Sequence, residues 1–240
     1  MSFGLEFKKV KRTGFMLAFL SGGVLAAIVP ILNMLVRSEN YVGFDDSPVQ
    51  ILMNANWQMM SMLNILLVVA SACLVYHIEY TDNAIQRMCT LPIKESKIFF
   101  GKVALMAVMC LVILLMEAAA LAFCSYYWFE LSTDIWMEVI KSFAYALLLI
   151  FPAVLCSLVI ASACRNMWVS LGVGVVCVFI ATMIPTKNFI LSLFPFALPF
   201  QILSGTTENI LRNYMIAAVI EILILGIVEV LFLKVRRSFE

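Results

Sequence analysis

Long apolar runs constrain the fold of this chain more than any other feature. Several uncharged runs reach about 20 residues, which is the length a helix needs to cross a hydrocarbon core about 30 Å thick. Barrel strands would instead appear as alternating segments of about 10 residues. The chain is 64% hydrophobic and 13% charged, whereas soluble domains average about 25% charged residues. The sequence therefore predicts an all-α integral membrane protein.

The apolar runs predict six transmembrane helices within one domain, residues 1–240. We place the spans at residues 14–36, 51–77, 99–123, 139–163, 168–184 and 214–233. The first run is longer than the apolar region of a signal peptide and has no clear small-residue cleavage site, so we expect it to be retained. Residues 188–205 are apolar but are broken by Pro195, Pro199 and Gly205, which predicts an extracellular re-entrant segment before the last span.

The basic residues are distributed unequally between the two sides of these spans. Four of the sixteen fall on one side, and the other twelve fall on the side of both termini: Lys8, Lys9, Lys11, Arg12, Arg87, Lys94, Lys97, Lys102, Arg165, Lys234, Arg236 and Arg237. Lysine and arginine are enriched in cytoplasmic loops, so both termini are expected in the cytoplasm. The outer side carries seven acids and is expected to be mildly acidic.

The segment EYTDNAIQRMCTLPIKESKIFFGK, residues 79–102, is polar and lies between two of the most apolar runs. Thr81 or Asp82 is suited to be a helix N-cap, and Pro92 prevents a regular helix from continuing. The apolar residues at helical spacing are Ala84, Ile85, Met88 and Leu91. The pattern predicts an amphipathic helix over 82–91, which is too short to be stable unless it docks on something. It is either a turn on the membrane surface or a docking element for a cytoplasmic partner.

Polar side chains inside the spans form a second group of candidates. Asn54, Gln58, Ser61 and Asn64 step along the second span by three or four residues, while Glu117 and Glu221 lie in the third and sixth spans. Such residues avoid lipid and mark helix contacts or a polar path; both interpretations stay open. Glu229 lies close to the cytoplasmic end and is expected to form a surface pair with Lys234.

Several catalytic and binding motifs are missing from the sequence. It contains no G-x-x-x-x-G-K-S/T motif, so it cannot bind ATP through a P-loop by itself. A multi-histidine metal site is excluded because His77 is the single histidine. The seven cysteines form no C-x-x-C pair and are interpreted as small buried hydrophobic residues. An intramembrane enzyme remains an alternative from another class.

The order of these features resembles the permease subunits of ABC-2-type transporters. Six spans with both termini inside are one likeness. The first cytoplasmic loop is another: an acid after span two (Glu79), a short helix, the Leu91–Pro92 break and a basic residue entering span three (Lys102). In that family this loop holds the coupling helix that fits a groove on the ATPase, which implies ATPase-coupling roles for Glu79, Asp82, Ile85, Met88, Leu91 and Pro92. Lys94 departs from the family pattern, because many relatives have a small hydroxyl residue there.

The resemblance extends to the N-terminus and to the expected partners. Phe3, Phe7 and Val10 follow helical spacing among lysines, as in an interfacial amphipathic helix; a basic flank without a further role is the alternative.

The size and short loops are similar to permeases of lantibiotic (bacteriocin) immunity and resistance. This implies a bacterial plasma membrane protein that is not an enzyme and binds no cofactor or nucleic acid. The implied partners are two copies of an ATPase carrying ATP and magnesium, a second permease (homologous or identical), membrane lipids and a cationic peptide. Export of a drug, lipid or other small molecule is the alternative.

Overall fold

The computed structural model describes residues 2–11, 14–44, 46–80, 95–129, 135–164, 166–184, 188–203 and 207–239. Within those residues every regular element is helical, which confirms the all-α part of the prediction; the six spans and the interfacial and re-entrant features stay predictions. The α-helices are α1 (Ser2–Lys11), α2 (Phe15–Arg37), α3 (Pro48–Tyr80), α4 (Glu95–Trp128), α5 (Ile135–Ala163), α6 (Met167–Met183), α7 (Phe189–Ser192) and α8 (Glu208–Phe239). The predicted coupling helix, residues 82–91, lies outside the described residues, as does Pro92.

Five of these helices are long and apolar enough to cross a membrane: α2, α3, α4, α5 and α8. Helix α6 is apolar as well, but it has 17 residues and therefore rises about 25 Å. Most of the helices extend beyond the predicted spans; α3 ends at Tyr80 and α8 begins at Glu208. These extra turns carry polar residues, as expected where a helix passes from hydrocarbon into the interface.

The five long helices and α6 alternate in direction along the chain, so the bundle has two ends. At one end, α1 and the last part of α8 pack together with residues from α2 to α5, including Val10, Phe15, Tyr76, Phe99 and Leu233. We call this the terminal end because the first helix, α1, and the end of the last helix, α8, lie there. At the opposite, distal end, a second core cluster joins Met34, Val49, Cys124 and Ile135.

The segment between α6 and α8 is folded back onto the bundle. It contains α7 and a short 3-10 helix, Leu198–Phe200. Phe196, Ala197 and Phe200 are buried with Ile65 and Val69 of α3 and with residues of α5 and α6. We call residues 188–203 the connecting segment; its packing places broken, proline-containing backbone against protein.

Glycines allow α2 and α6 to approach their neighbours closely. A Cβ atom at Gly174 of α6 would lie 2.3 Å from Cγ1 of Val69 on α3, and one at Gly22 of α2 would lie 2.3 Å from Cδ2 of Leu67. Small residues at helix interfaces let the backbones come together in this way. The contact at Gly174 is the more restrictive of the two because valine is β-branched and stiff.

Replacing Gly174 with leucine should therefore destabilise the contact between α3 and α6. Overpacking of a close contact costs about 1–3 kcal/mol, which would appear as a lower unfolding temperature of the purified protein in detergent. The matched control is Gly172→Leu on the same helix, where an added Cβ meets nothing within 4 Å. Equal unfolding temperatures for the two variants would show that the Gly174 contact is not restrictive.

Candidate functional site

A buried ion cluster joins three helices at the terminal end of the bundle. Lys102 Nζ on α4 donates a hydrogen bond to Glu79 Oε2 on α3, and Lys9 Nζ on α1 lies 3.2 Å from Glu79 Oε1. The side chains of Glu79 and Lys102 are 7% and 2% exposed, while that of Lys9 is 32% exposed. We call Lys9, Glu79 and Lys102 the ionic clasp.

Aromatic side chains of α3 complete the surroundings of this clasp. Lys102 Nζ lies 3.7 Å from the ring centroid of Tyr76, a distance at which an ammonium group is attracted to the ring face. Tyr76 precedes Glu79 by three residues and therefore lies on the same side of the helix. Tyr80 donates its hydroxyl to the Ser162 carbonyl at 2.6 Å, which ties the end of α3 to the end of α5.

The clasp lies where the chain leaves α3 and enters α4. Glu79 is next to the last residue of α3, and Lys102 lies two turns into α4. The clasp therefore joins the two helices on either side of residues 81–94. Of the six predicted coupling residues, Glu79 is described; Asp82, Ile85, Met88, Leu91 and Pro92 lie outside the described residues.

The polar residues predicted along the second span occupy different environments in α3. Ser61 and Asn64 are buried, whereas Asn54 and Gln58 are exposed on the surface of the single chain. The four side chains therefore do not share one buried face. A role for Asn54 and Gln58 in a polar path stays a prediction.

Asn64 and Glu117 meet near the centre of the bundle. Asn64 Nδ2 donates to Glu117 Oε2 at 3.1 Å, and Glu117 is fully buried. Glu79 lies fifteen residues beyond Asn64 on α3, and Glu117 lies fifteen residues beyond Lys102 on α4. The same antiparallel helices are thus bridged twice, at levels about 22 Å apart along the helix axis.

Two further polar contacts of α3 lie nearer the distal end. The Pro199 carbonyl of the connecting segment accepts hydrogen bonds from Ser61 Oγ at 2.5 Å and from Trp57 Nε1 at 2.9 Å. Asn33 Nδ2 of α2 donates to Asn56 Oδ1 at 2.7 Å. Sequence reasoning did not single out Trp57, Asn33 or Asn56 as site residues. Asn33 and Asn56 could have been found as polar amides within apolar helices, which indicate a contact between helices.

The two acids of α8, Glu221 and Glu229, differ in burial, and Glu229 does not lie where the sequence predicted. Glu221 is half-buried, and its Oε2 has no hydrogen-bond partner; no bond among the described residues joins it to Glu117. Glu229 was expected at the surface beside Lys234, but it is fully buried. The prediction was wrong because residues five apart do not face each other on a helix; Glu229 instead shares the buried face with Leu233.

Comparison with known proteins places this arrangement in a family. Residues 3–182 match the family model described as ABC-2 family transporter protein, and this region includes α1, the ionic clasp and the Asn64–Glu117 pair. No curated protein and no solved structure matched the sequence. Since the match covers most of the chain and the helices have the lengths and composition of membrane spans, the protein is a multi-pass membrane subunit that belongs to the ABC-2 family of transporter proteins.

Proposed function

We propose that this permease is driven by a cytoplasmic ATPase that docks on residues 82–91 and that it expels cationic antimicrobial peptides of the lantibiotic class from the membrane. The observation that carries the first part is the ionic clasp. It joins α3 to α4 through Glu79 and Lys102, which are almost fully buried. A loop can transmit force to two helices when both of its attachment points are fixed to each other.

The physical argument for coupling starts from the cost of separating the clasp. Breaking a buried ion pair by removing one partner costs about 3–5 kcal/mol, so α3 and α4 move at this end as one unit. Lys9 adds α1 to the same unit. A push by the ATPase on residues 82–91 would then act on three helices together, and the Asn64–Glu117 contact would carry the movement towards the distal end.

The energy source lies on the partner in this proposal. The chain contains no P-loop motif, and ABC-2 family membership implies an ABC ATPase partner in general. We propose two ATPase copies with ATP and magnesium bound to them, and both termini of the permease in the cytoplasm of a bacterial cell. The twelve basic residues assigned to the terminal end support this orientation.

A second permease subunit, homologous or identical, fits the exposed surface of the single chain. Asn54 and Gln58 are exposed next to Met59 within an apolar helix. Polar side chains in a membrane avoid lipid and contact other helices or water. A partner covering this face of α3 would shield both amides, or would enclose a water-filled path lined by them.

The cargo is inferred from charge and from the likeness to lantibiotic permeases. Seven acids assigned to the outer loops and helix ends outnumber four basic residues there, which favours the approach of a cationic peptide. Export of a drug or lipid by the same fold is the second candidate, favoured by the largely apolar surface of α8, where large exposed residues include Leu223 and Ile224.

The experiment that tests this function places aspartate at Ile85 or Met88. A charge in a desolvated contact is costly without a partner charge, so either change should abolish copurification of the ATPase and protection of cells against a cationic peptide together. The permease should still insert because its spans are unchanged. The control is Asn83→Ala, which is predicted to lie off the apolar face and should retain both properties.

The outcomes separate the two parts of the proposal. If the Ile85 and Met88 variants keep both the ATPase and protection, residues 82–91 are not the docking element. If the intact permease binds its ATPase but gives no protection against cationic peptides, the cargo assignment fails and the permease assignment stands.

A further inference from the structure

The Asn64–Glu117 contact is buried midway along α3. Asn64 is sixteen residues from either end of α3, which places it about 24 Å from both ends. Both residues are buried, and Glu117 has no exposed surface. A carboxyl group at this level is surrounded by protein and far from the aqueous interfaces.

The two atoms left over in this contact are both acceptors. Asn64 Nδ2 donates to Glu117 Oε2 at 3.1 Å, but Asn64 Oδ1 and Glu117 Oε1 are buried without a hydrogen-bond partner. An amide oxygen and an ionised carboxylate oxygen can only accept. If Glu117 were ionised, its charge would be buried with a single neutral hydrogen bond, and a second acceptor beside it would be unsatisfied.

Among the described residues, no basic side chain forms an ion pair with Glu117. The nearest lysine on α4 is Lys102, which pairs with Glu79 and lies about 22 Å away along the helix. On α2, α3 and α5, which pack against α4, the titratable and charged residues lie near helix ends: Arg37, His77, Glu79, Glu138 and Lys141. Helix α1 also packs against α4, and its Lys9 lies at the terminal end beside Glu79. On α8, Glu221 and Glu229 are acids and supply no positive charge, and Cys110 on α4 is a buried free cysteine.

We propose that Glu117 binds a proton and that this proton is shared with Asn64. A hydrogen on Glu117 Oε1 converts that atom from an acceptor into a donor, and Asn64 Oδ1 is the acceptor that lacks a partner. The amide and the carboxylic acid then form two hydrogen bonds in one ring, and every polar atom of the pair is satisfied. A buried unpaired carboxylate neutralises in this way because its charged form is poorly solvated.

The bound proton acts as a lock between α3 and α4. These helices flank residues 81–94, and the ionic clasp joins them again at the terminal end. Loss of the proton would remove one of the two hydrogen bonds and place a charge between the helices. The proposal does not depend on the cargo or on the ATPase, since it concerns the permease alone.

The test uses the full chain reconstituted in lipid vesicles and infrared difference spectroscopy. The wild type should show the C=O stretching band of a protonated carboxylic acid at neutral pH, and Glu117→Gln should lose that band. Asn64→Leu should retain the band at a shifted frequency, because the acid loses its amide partner. The control is Glu208→Gln, which changes an exposed acid and should leave the band unchanged.

Thermal unfolding provides the second measurement. Glutamine supplies a permanent N–H donor to Asn64 Oδ1, so Glu117→Gln should unfold at the wild-type temperature, whereas Asn64→Leu should unfold at a lower one. An infrared spectrum unaffected by Glu117→Gln would overturn the proposal, since Glu117 would then be ionised and a water or cation would lie between the two acceptors. A lower unfolding temperature of Glu117→Gln would overturn it as well.

Discussion

Replacing Glu79 with glutamine should destabilise the purified permease more than any other single change in the ionic clasp. The substitution removes the carboxylate that accepts a hydrogen bond from Lys102, whose side chain is 2% exposed. It also leaves the ammonium groups of Lys9 and Lys102 beside a neutral amide, without the negative charge that both now contact. Breaking a buried pair from one side costs about 3–5 kcal/mol. Thermal unfolding in detergent measures the loss, and ATPase copurification should fall with it.

The other members of the clasp provide graded controls. Lys102→Met should cost less than Glu79→Gln, because the Glu79 carboxylate keeps Lys9 at 3.2 Å. Lys9→Met should cost at most about 1 kcal/mol, since its side chain is 32% exposed and solvent screens such pairs. The double variant Glu79→Gln/Lys102→Met should lose less stability than the two single losses added, because contacting residues are coupled.

A different order of effects would contradict this account. If Lys9→Met destabilised the protein as much as Glu79→Gln, the partly exposed Lys9–Glu79 pair would provide most of the stabilisation. Additive losses in the double variant would mean that Glu79 and Lys102 stabilise the protein independently. In either case the clasp would not hold the attachment points of residues 81–94 to each other.

The helices of this protein could be predicted from the sequence, whereas their contacts could not. Uncharged runs of about 20 residues leave the backbone in lipid no alternative to a helix or a closed barrel, and α2, α3, α4 and α5 lie where those runs occur. Glu79 and Lys102 were singled out by their order around a loop. Their contact depends on how α3 and α4 are rotated about their axes, which spacing along either helix does not specify.

Burial inside the bundle was harder to predict than helix position. Asn54 and Gln58 were grouped with Ser61 and Asn64 because residues three or four apart are neighbours on a helix. That stripe drifts around α3 over ten residues, so its two ends have different neighbours; Asn54 is exposed and Asn64 is buried. Glu229 shows the same limit, because its sequence distance from Lys234 does not show which face of α8 packs inward.

The second large effect is expected at Trp57, which holds the connecting segment against α3. Its indole is 3% exposed, lies edge-on to Phe143 with ring centroids 5.9 Å apart, and donates Nε1–H to the Pro199 carbonyl at 2.9 Å. Trp57→Ala removes all of these contacts and leaves a cavity, which costs about 3–5 kcal/mol. The unfolding temperature of the purified protein should fall accordingly.

Smaller substitutions separate the hydrogen bond from the packing at this position. Trp57→Phe and Ser61→Ala should each cost about 1 kcal/mol, because the Pro199 carbonyl keeps one of its two donors. Together they remove both donors from a buried carbonyl and should cost more than the two single losses added. Trp168→Ala is the matched control, since that indole is 73% exposed and its loss should change stability little. If Trp57→Ala were as mild as Trp168→Ala, the connecting segment would be held on α3 by the packing of Phe196 and Phe200 against Ile65 and Val69, and not by Trp57.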